Sequence, residues 1–442
     1  MIGLLDANNF YVSCERVFNP DIVNKPVVVL SNKDGCVVSR SNEAKSLGIG
    51  MGTPFFQIKV LAEMEDIRVY SSNYTLYGDM SGRICAEVKS LIPNVEVYSI
   101  DEQFLDFGGF GGHDLSALGN EVKTRVKKHI GIPTCLGIVK TKTLAKIANH
   151  ITKKSLTHNG IYVLEHPKLV EAFLRLTPVG DLWGVGRRYQ KKLAEHKIYT
   201  ALDLYNTPEH FVRKQMTVVG QRLWHELHGR PCIPLEQISK PKKNICTSRT
   251  FGQLETDLSA IKEAVATHAA SCAEKLRKES SIANYLQVFI QTNRYRKDDP
   301  QYSNRAANRS FTWTLPIASN DSRDLIRYAT QALEQIFRSD FKYNKCGVIV
   351  SGLVPENERQ LNLFESTDKQ PEPIFEQVQA VCRPDNRVMK AMDDLNGRFG
   401  AKTIKLGATM STQKTQSWQL TPSLLSPHYT TKFTDIPIAR CS

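Results

Sequence analysis

An apolar run at residues 95–107 contains two adjacent carboxylates, Asp101 and Glu102. Aspartate and glutamate are disfavoured in strands, and a half-buried charge is costly unless an opposite charge pairs with it. The opening run, residues 2–6, also ends on an acid, Asp6. If the two runs are neighbouring strands, the three carboxylates converge and predict a site for hard cations such as Mg²⁺. A turn or a surface pair of acids is the simpler alternative for Asp101 and Glu102.

Size and charge narrow the class of protein. The chain has 442 residues, which favours two to four domains, and a formal net charge of +13, which favours a polyanionic partner. Nucleic acid is the first expectation, and an anionic membrane surface the second. The sequence contains no apolar run of 18 residues and no signal peptide, and its ten cysteines lack metal-like spacing. We therefore expect a cytoplasmic protein with no membrane span and with reduced thiols.

Residues 1–165 have the alternating pattern of an α/β region, and residues 31–72 form a smaller, glycine-punctuated part. Residues 95–107 are predicted as one strand, and a helix is predicted from Asp79 to Leu91. Another helix begins within residues 140–146, where three lysines occur in seven residues. Cations at a helix start are mildly unfavourable, which indicates a nearby anion. A solvated lysine face is the alternative.

Residues 166–235 are predicted to be helical, and they contain a candidate contact with a nucleic-acid backbone. The segment 182–188 alternates apolar residues with glycines, as helix-hairpin-helix turns do. Such glycines let backbone N–H groups approach a phosphate at the start of the next helix. An ordinary tight turn between helices is the alternative. The candidate DNA-binding residues are Gly184, Gly186, Arg187 and Arg188.

A basic linker at residues 236–244 precedes a clearly patterned segment. Periodicity predicts strand 245–251, helix 257–278, strands 284–293 and 308–316, helix 321–339 and strand 345–353. This βαββαβ order is that of the ferredoxin-like split motif. Residues 240–355 carry an excess of Lys and Arg, and the candidate DNA contacts Lys242 and Lys243 lie in the linker. A basic sheet suits a duplex backbone, although it is also compatible with a solvated surface.

Two further features bear on function. A tail from residue 355 to residue 442 has weak patterning, apart from an apolar peptide that resembles a docking motif: Gln360, Leu361, Leu363 and Phe364. The same peptide could equally be a hydrophobic segment that packs back on its own domain. Near the N-terminus, Tyr11 closely follows Asp6, one of the candidate metal ligands. If the site binds a nucleotide, the Tyr11 ring could lie under the sugar of that nucleotide and exclude a 2′-hydroxyl. Core packing is the alternative for Tyr11.

Considered together, these motifs resemble those of the Y-family translesion DNA polymerases, nearly from end to end. The motifs are Leu5–Asp6 with Phe10–Tyr11, 28–32 with 34–37, 72–74, 98–102, 140–146, 183–188 and 425–431. The resemblance implies an α+β multidomain, right-hand polymerase. Its parts would be a ferredoxin-like palm, small fingers, a helical thumb with a helix-hairpin-helix and a βαββαβ little finger.

The resemblance also implies domain bounds. Palm and fingers would occupy residues 1–165, with the fingers inserted at about 20–72. The thumb would be 166–235, the linker 236–244, the little finger 245–354, and 355–442 a tail with a clamp-binding peptide.

The family's site residues fall on named positions of this chain. The resemblance implies that Asp6, Asp101 and Glu102 are catalytic and that they bind two Mg²⁺ ions together with the Ala7 carbonyl. Tyr11 would be the steric gate, and Lys153 would contact the triphosphate. In the fingers, the family often has a tyrosine and an arginine where this chain has Asn42 and Lys45. Lysine cannot make the bidentate arginine contact, so Arg40 is an additional candidate.

The function implied is error-prone DNA-directed DNA polymerisation across damaged templates in the SOS response. The implied partners are primer-template DNA, dNTPs, a sliding clamp bound by Gln360–Phe364, a UmuD-type cleaved dimer and a RecA filament. A nucleoid-associated cytoplasmic location follows from these. Two alternatives from other classes are a nucleotidyl cyclase with a related palm and a catalytically inactive DNA- or clamp-binding accessory protein.

Overall fold

The computed structural model describes residues 1–31, 34–154, 160–238, 240–293, 309–358, 387–400, 403–410 and 423–438. The chain forms two compact units. The first comprises Met1–Ser239 together with Pro422–Ser442, and the second comprises Lys240–Thr421. The C-terminal segment therefore returns to the unit in which the chain begins.

The first unit contains two sheets with helices between and around them. Its strands are β1 (Ile2–Ala7), β2 (Val27–Leu30), β3 (Val37–Arg40), β4 (Arg68–Ser71), β5 (Val95–Val97), β6 (Glu102–Asp106), β7 (Thr134–Val139) and β8 (Ile161–Val163). Its helices are α1 (Phe10–Phe18), α2 (Asn42–Ser46), α3 (Phe55–Met64), α4 (Tyr74–Lys89), α5 (Leu115–Ile130), α6 (Lys142–Lys154), α7 (Pro167–Leu176), α8 (Arg187–Ala194), α9 (Ala201–Asn206) and α10 (Glu209–Leu227).

The five-stranded sheet has the order β5-β6-β1-β7-β8, with β1 at its centre and antiparallel to both neighbours. Alternate residues of β1 enter different cores. Leu5 packs with α4 and α5 on one face, whereas Leu4 packs with Phe104 and Ala145 on the face covered by α6. Each such buried side chain contributes about 1.5–3 kcal/mol, which fixes the register of β1.

The predicted single strand at residues 95–107 is wrong, because the run forms a hairpin. Strands β5 and β6 pair antiparallel, and the chain turns between them at residues 98–101. The Ser99 hydroxyl accepts hydrogen bonds from the N–H groups of Asp101 (3.3 Å) and Glu102 (3.0 Å) and so closes the turn. The acids therefore occupy a turn and the first position of a strand, where their low strand propensity costs little.

Helix α4 begins earlier than predicted, at Tyr74 instead of Asp79, and it ends at Lys89. The side chain of Asn73 accepts a hydrogen bond from the Leu76 N–H and caps the helix. Asparagine is among the preferred N-cap residues, so the capping signal was present in the sequence. The earlier start places Tyr74 and Tyr77 on the helix instead of in the connection before it.

The smaller sheet has the order β3-β2-β4, with β2 antiparallel to β3 and parallel to β4. Helices α2 and α3 lie beside it, and a separate apolar core is formed by Val28, Leu30, Val37, Ala44, Ile49, Ile58, Ala62 and Ile67. Strand β4 is an edge strand of this sheet. The predicted subdomain at residues 31–72 thus corresponds to a structural part with its own core.

Residues 167–227 are helical, and they surround a third core. Between α7 and α8, a 3₁₀ turn at Val179–Asp181 precedes the glycine-containing segment. Helix α10 is interrupted at Thr217, where φ is 64°.

The anions at the start of α6 belong to the protein itself. Lys142 is buried and paired with Glu96. Glu226, which has no exposed surface, accepts hydrogen bonds from the N–H groups of Thr143 (3.1 Å), Cys232 (2.6 Å) and Ile233 (3.2 Å). Glu226 therefore caps α6 and fixes the chain that follows α10.

Replacing Glu226 with Leu should destabilise the first unit. The buried N–H group of Thr143 and the partly buried N–H groups of Cys232 and Ile233 would lose their acceptor. A buried group without an acceptor costs about 1–3 kcal/mol, so we expect a loss of about 3 kcal/mol in the free energy of unfolding. Glu226→Gln is the matched control, because it keeps one side-chain acceptor and should lose less. Urea denaturation followed by tryptophan fluorescence measures both; equal stability of the Leu and Gln variants would contradict the capping role.

The second unit confirms the predicted βαββαβ pattern. Its elements are β9 (Asn244–Glu255), α11 (Leu258–Lys278), β10 (Ser281–Thr292), β11 (Arg309–Ser319), α12 (Ser322–Ile336) and β12 (Tyr343–Pro355). All strand pairs are antiparallel, in the order β11-β10-β12-β9. A further helix, α13 (Arg387–Phe399), was not predicted, and its Asp393 is paired with Arg277 of α11 at 2.6 Å.

Candidate functional site

The three predicted carboxylates meet at one end of the five-stranded sheet. Asp6 on β1 lies directly opposite Glu102 on β6. The Ala7 N–H donates a 2.9 Å hydrogen bond to the Asp101 carbonyl, which ties the hairpin turn to the end of β1. The backbone pairing of β1 with β6 and its turn therefore brings Asp6, Asp101 and Glu102 together, as the sequence predicted.

Two lysines of α6 contact two of these acids. The Lys153 ammonium is 2.6 Å from Asp6, and the Lys146 ammonium is 3.0 Å from Glu102. The close approach of α6 is possible because Gly137 of β7 lacks a side chain. A Cβ there would lie 2.8 Å from both the Ala148 Cβ and the Asn149 nitrogen. Lys153 was a predicted site residue but Lys146 was not, although the two lysines are seven residues apart and so lie on one face of the helix.

Asp6 has the electrostatic character of a site residue. It is 3% exposed, and its Oδ1 has no hydrogen-bond partner. Burial raises the pKa of Asp6 to about 6, and repulsion from Asp101 and Glu102 adds to this increase, whereas Lys153 opposes it. Burial lowers the pKa of Lys153, but the attraction and hydrogen bond of Asp6, together with smaller contributions from Cys135 and Glu102, outweigh burial and raise the pKa overall. Strongly perturbed acids in a cluster are typical of functional sites.

The donor set fits a hard divalent cation. It consists of carboxylate oxygens from Asp6, Asp101 and Glu102, with the backbone at Ala7 alongside, and one buried carboxylate oxygen of Asp6 is unpartnered. Within the described residues, however, no group of three His, Cys, Asp or Glu side chains has a ready-made metal-binding arrangement. The ammonium groups of Lys146 and Lys153 bind carboxylate oxygens that a metal ion would require.

Tyr11 stands beside the carboxylates on the first turn of α1. Its ring stacks on Tyr77 of α4 at 4.4 Å and meets Tyr74 edge-on at 5.9 Å. Burial raises the pKa of Tyr11, with smaller contributions from Tyr74 and Asp101. Tyr11 is half-buried, whereas its neighbour Phe10 is in the core. An aromatic wall formed by Tyr11, Tyr74 and Tyr77 therefore borders the acidic site.

Glu15, one turn further along α1, is 1% exposed and was missed in the sequence. It accepts hydrogen bonds from the hydroxyls of Tyr77 (2.7 Å) and Ser426 (3.0 Å). Burial raises its pKa to about 7, which these two hydrogen bonds only partly oppose. Because it lies among apolar residues of one helix and its partners are distant in sequence, no local pattern identifies it.

The Glu15 carboxyl should make stability fall as pH rises. A carboxyl whose pKa is raised by folding is neutral in the folded state and ionised in the unfolded state between its two pKa values, 4.5 and about 7. Stability is therefore lost across that window. Glu15→Gln removes this dependence, so its stability relative to wild type should increase by about 3 kcal/mol between pH 4.5 and pH 8.

Urea denaturation at several pH values measures this difference. The titratable neighbours Cys14, Tyr70, Tyr77 and Tyr429 all have pKa values raised by burial, so they stay protonated in this range. Exposed Glu63→Gln is the control and should follow wild type. If Glu15→Gln also followed wild type at every pH, the Glu15 carboxyl would not be the source.

The smaller sheet contributes further polar and basic residues to this region. The Lys45 ammonium contacts the side-chain oxygens of Asn9 (2.6 Å) and Asn42 (3.0 Å). Partial burial lowers the pKa of Lys45, and repulsion from Arg40 and Lys153 lowers it further, so these three cations share one region. Arg40 itself donates to the Ile49 carbonyl. The predicted group of Arg40, Asn42, Lys45 and Lys153 is therefore brought together near Asp6.

The predicted DNA contacts have the following positions. In the first unit, Gly184 has a φ of +90° and Gly186 is the N-cap of α8, with Arg187 and Arg188 exposed at the start of that helix. In the second unit, Lys242 and Lys243 are both exposed, and Lys242 is paired with Glu279. The predicted clamp-binding residues Gln360, Leu361, Leu363 and Phe364 lie outside the described residues.

Lys146 also joins the site to the glycine-containing turn. Its ammonium lies 4.3 Å from the ring centroid of Tyr98 and 5.6 Å from that of Trp183. Such cation–π contacts hold a lysine in place while leaving it charged.

Among the described residues, no helix is both long and apolar enough to cross a membrane.

Comparisons with known proteins agree with this geometry. Residues 5–150 match the impB/mucB/samB family, and residues 242–363 match the C-terminal domain of that family. Residues 386–439 match a domain of unknown function, DUF4113. The chain is 40% identical to Protein UmuC of Salmonella typhimurium over 99% of both chains, and 40% identical to Protein ImpB of Salmonella typhimurium over the whole of both.

More distant relatives extend the same assignment. DNA polymerase IV 1 of Bacillus subtilis is 27% identical over 93% of this chain and 94% of its own. Among solved structures, a Y-family DNA polymerase chimera of Dbh matches with a TM-score of 0.63, and the insertion ternary complex of Dbh DNA polymerase with 0.53. Both are 20% identical, and both cover 80% of this chain and 100% of their own. The chain therefore belongs to the impB/mucB/samB family and has the fold of the Y-family DNA polymerases.

Proposed function

We propose that this polymerase performs error-prone translesion synthesis in the SOS response to DNA damage, by nucleotidyl transfer from dNTPs to a primer 3′-hydroxyl at a two-metal site. The observation that supports this most directly is the pairing of Asp6 with Glu102, with the Asp101 carbonyl bonded to the Ala7 N–H. Two acids on adjacent strands and a third in the hairpin turn beside them form the donor set that such a site requires.

Asp6, Asp101, Glu102 and the Ala7 carbonyl would hold two Mg²⁺ ions. When bound, these ions would supply activation of the primer hydroxyl and stabilisation of the leaving pyrophosphate. The lysine contacts suggest what the chain contributes. Lys153, now 2.6 Å from Asp6, would exchange the carboxylate for the triphosphate, and Lys146 would stay near Glu102. Both lysines would neutralise negative charge in either state: that of Asp6 and Glu102 before the substrate binds, and that of the triphosphate and Glu102 afterwards.

Arg40, Asn42 and Lys45 would complete the triphosphate site from the fingers. Their grouping near Lys153 supports this role, as do the contacts of the Lys45 ammonium with the side-chain oxygens of Asn9 and Asn42. Lysine binds phosphate as a point charge, so triphosphate orientation would depend less on a bidentate contact than it does with arginine. Tyr11 would serve as the steric gate against the 2′-hydroxyl of a ribonucleotide.

DNA would be held by sequence-independent contacts. Gly184 and Gly186 expose backbone N–H groups at the start of α8, and Arg187 and Arg188 add charge there. Lys242 and Lys243 would contact the backbone from the second unit. Residues 1–165 would serve as palm and fingers, 166–235 as thumb and 245–354 as little finger. Gln360–Phe364 would bind a sliding clamp, and a UmuD-type cleaved dimer and a RecA filament would be further partners.

A primer-extension assay tests the proposal. Matched templates, one undamaged and one with a single abasic site, are copied with dNTPs and Mg²⁺, with and without a sliding clamp and the UmuD-type dimer. We expect extension past the lesion, dependent on Mg²⁺ and increased by the two partners. Extension that stops at the lesion under every condition would contradict a translesion role, and extension that needs no divalent ion would contradict the two-metal site.

A further inference from the structure

Residues 423–438, named here the C-terminal strap, extend the edge of the smaller sheet. The Ser71 N–H of edge strand β4 donates to the Leu424 carbonyl (2.9 Å), and the Leu424 N–H donates to the Ser71 hydroxyl (3.0 Å). These bonds join positions that are 353 residues apart in the chain. They also cover part of an edge strand that would otherwise present unpaired backbone groups.

Asn73 joins the strap to α4. While its side-chain oxygen caps the helix, its Nδ2 donates to the Ser426 carbonyl (3.1 Å), the Ser426 hydroxyl (3.0 Å) and the Pro427 carbonyl (3.2 Å). Asn73 is 1% exposed and Ser426 is 5% exposed. Buried polar groups that satisfy one another in this way specify a single arrangement of the segments that carry them.

Ser426 also reaches the helix that carries Tyr11. Its hydroxyl donates to the Glu15 carboxyl (3.0 Å), which in turn accepts from the Tyr77 hydroxyl (2.7 Å). The Tyr77 ring is the one on which Tyr11 stacks. A continuous set of contacts therefore leads from the strap through Glu15 and Tyr77 to Tyr11.

A second contact holds the other end of the same helix. Phe18, the last residue of α1, stacks on Tyr429 of the strap with ring centroids 4.7 Å apart and an interplanar angle of 9°. The strap thus contacts the end of α1 and, through Glu15 and Tyr77, supports its first turn. Tyr11 lies on that first turn.

We infer that the C-terminal strap positions the steric gate, with Ser426 and Tyr77 as specificity-determining residues that act through Tyr11 on the choice between deoxyribonucleotides and ribonucleotides. This inference rests on the proposed function of Tyr11. It gives a role to the C-terminal part of the DUF4113 match, for which the comparison names none. The substrate class concerned is the nucleoside triphosphate, distinguished at its 2′ position.

The chemistry of Glu15 explains why one hydroxyl should matter. One oxygen of its buried carboxyl, Oε1, accepts from two hydroxyls, one on the strap and one on α4. If the Ser426 hydroxyl is removed, the carboxyl retains Tyr77 as its remaining hydroxyl partner and must reorient to replace the lost bond. Tyr77 would move with it, and the Tyr11 ring that stacks on Tyr77 would lose its fixed support.

Single-nucleotide insertion by the full-length chain tests this inference. Ser426→Ala, Tyr77→Phe and the double variant are compared with wild type for kcat/KM with a dNTP and with the matching rNTP. We expect each single variant to raise the ribo/deoxy ratio about tenfold, a change of about 1.4 kcal/mol in relative transition-state stabilisation. The double variant should add little, because both substitutions interrupt the same set of contacts.

Thr434→Ala is the matched control, because the Thr434 hydroxyl donates to Asp435, a neighbour within the strap itself. Thermal melts are recorded for every variant. A lower melting temperature with a ribo/deoxy ratio within twofold of wild type in both single variants would show that the strap is merely structural, and would overturn the inference. Absence of primer extension by wild type would instead count against the proposed function, so the two failures are distinguishable.

Discussion

Replacing Asp101 with Asn is expected to lower primer extension by at least about 10³-fold, equivalent to about 4 kcal/mol of transition-state stabilisation. Asn removes the negative charge and keeps the shape of the side chain, so the loss would come from weaker binding of cations at the site. The hairpin turn should survive. Its bonds from the Asp101 and Glu102 N–H groups to Ser99, and from the Ala7 N–H to the Asp101 carbonyl, do not use the Asp101 carboxylate. The Ser99 hydroxyl does donate to that carboxylate, and the amide oxygen of Asn can accept the same bond.

Asp106→Asn is the matched control for this substitution. Asp106 ends the strand that Glu102 begins, and its carboxylate accepts a 2.8 Å hydrogen bond from the Gly108 N–H, away from the site. The Asp106 variant should retain most of the extension rate. Primer-template affinity, measured by fluorescence anisotropy, should be unchanged in both variants. Extension by Asp101→Asn at more than a tenth of the wild-type rate would contradict a metal-binding role for Asp101.

Comparing these two variants also separates a polymerase from an inactive accessory protein. A catalytically inactive accessory protein would support lesion bypass equally well with Asp101 or Asn at this position, because the residues proposed to contact DNA and clamp do not include Asp101. A polymerase that inserts nucleotides itself would lose bypass in cells together with extension in vitro. Measuring both activities with the Asp101 and Asp106 variants therefore separates the two classes.

Periodicity in the sequence was sufficient to predict the βαββαβ elements of the second unit. Strand and helix positions there follow from apolar residues that recur at periods of 2 and 3.6, which are local properties. The convergence of Asp6 with Glu102 was predicted on the condition that their strands are neighbours, and the antiparallel pairing of those strands meets that condition. The hairpin between β5 and β6 was missed because apolar residues continue through the turn, as at Ile100.

Ion pairs and capping contacts could not be predicted, because their partners are distant in sequence. Lys142 and Glu96 are one such pair, and Glu226 caps a helix that begins more than eighty residues earlier. A lysine-rich helix start indicates that an anion is near but not whether the anion is a substrate or a side chain. The strap is the extreme case, since Ser426 meets Glu15 across almost the entire chain.

Replacing Tyr11 with Ala is expected to raise ribonucleotide incorporation about 10²-fold relative to deoxyribonucleotides, equivalent to about 3 kcal/mol of discrimination. One side of the Tyr11 ring packs against the protein and the other side is partly exposed. The ring is supported from behind by Tyr77 and is only half-buried, so one side is available to a substrate sugar. A residue that served core packing alone would resemble Phe10, which is 4% exposed.

Single-nucleotide insertion with matched dNTP and rNTP measures the ratio directly, and thermal unfolding of the same variants separates gating from packing. Tyr11→Phe keeps the ring and its stacking on Tyr77, so its ratio should stay close to wild type. The Ala variant should lose discrimination mainly through faster rNTP insertion, because the ring that would meet a 2′-hydroxyl is gone while the carboxylates on β1 and β6 are unaltered. A lower melting temperature with an unchanged ribo/deoxy ratio would instead identify Tyr11 as a packing residue, and discrimination would then have to come from another part of the aromatic wall, of which Tyr74 is the exposed member.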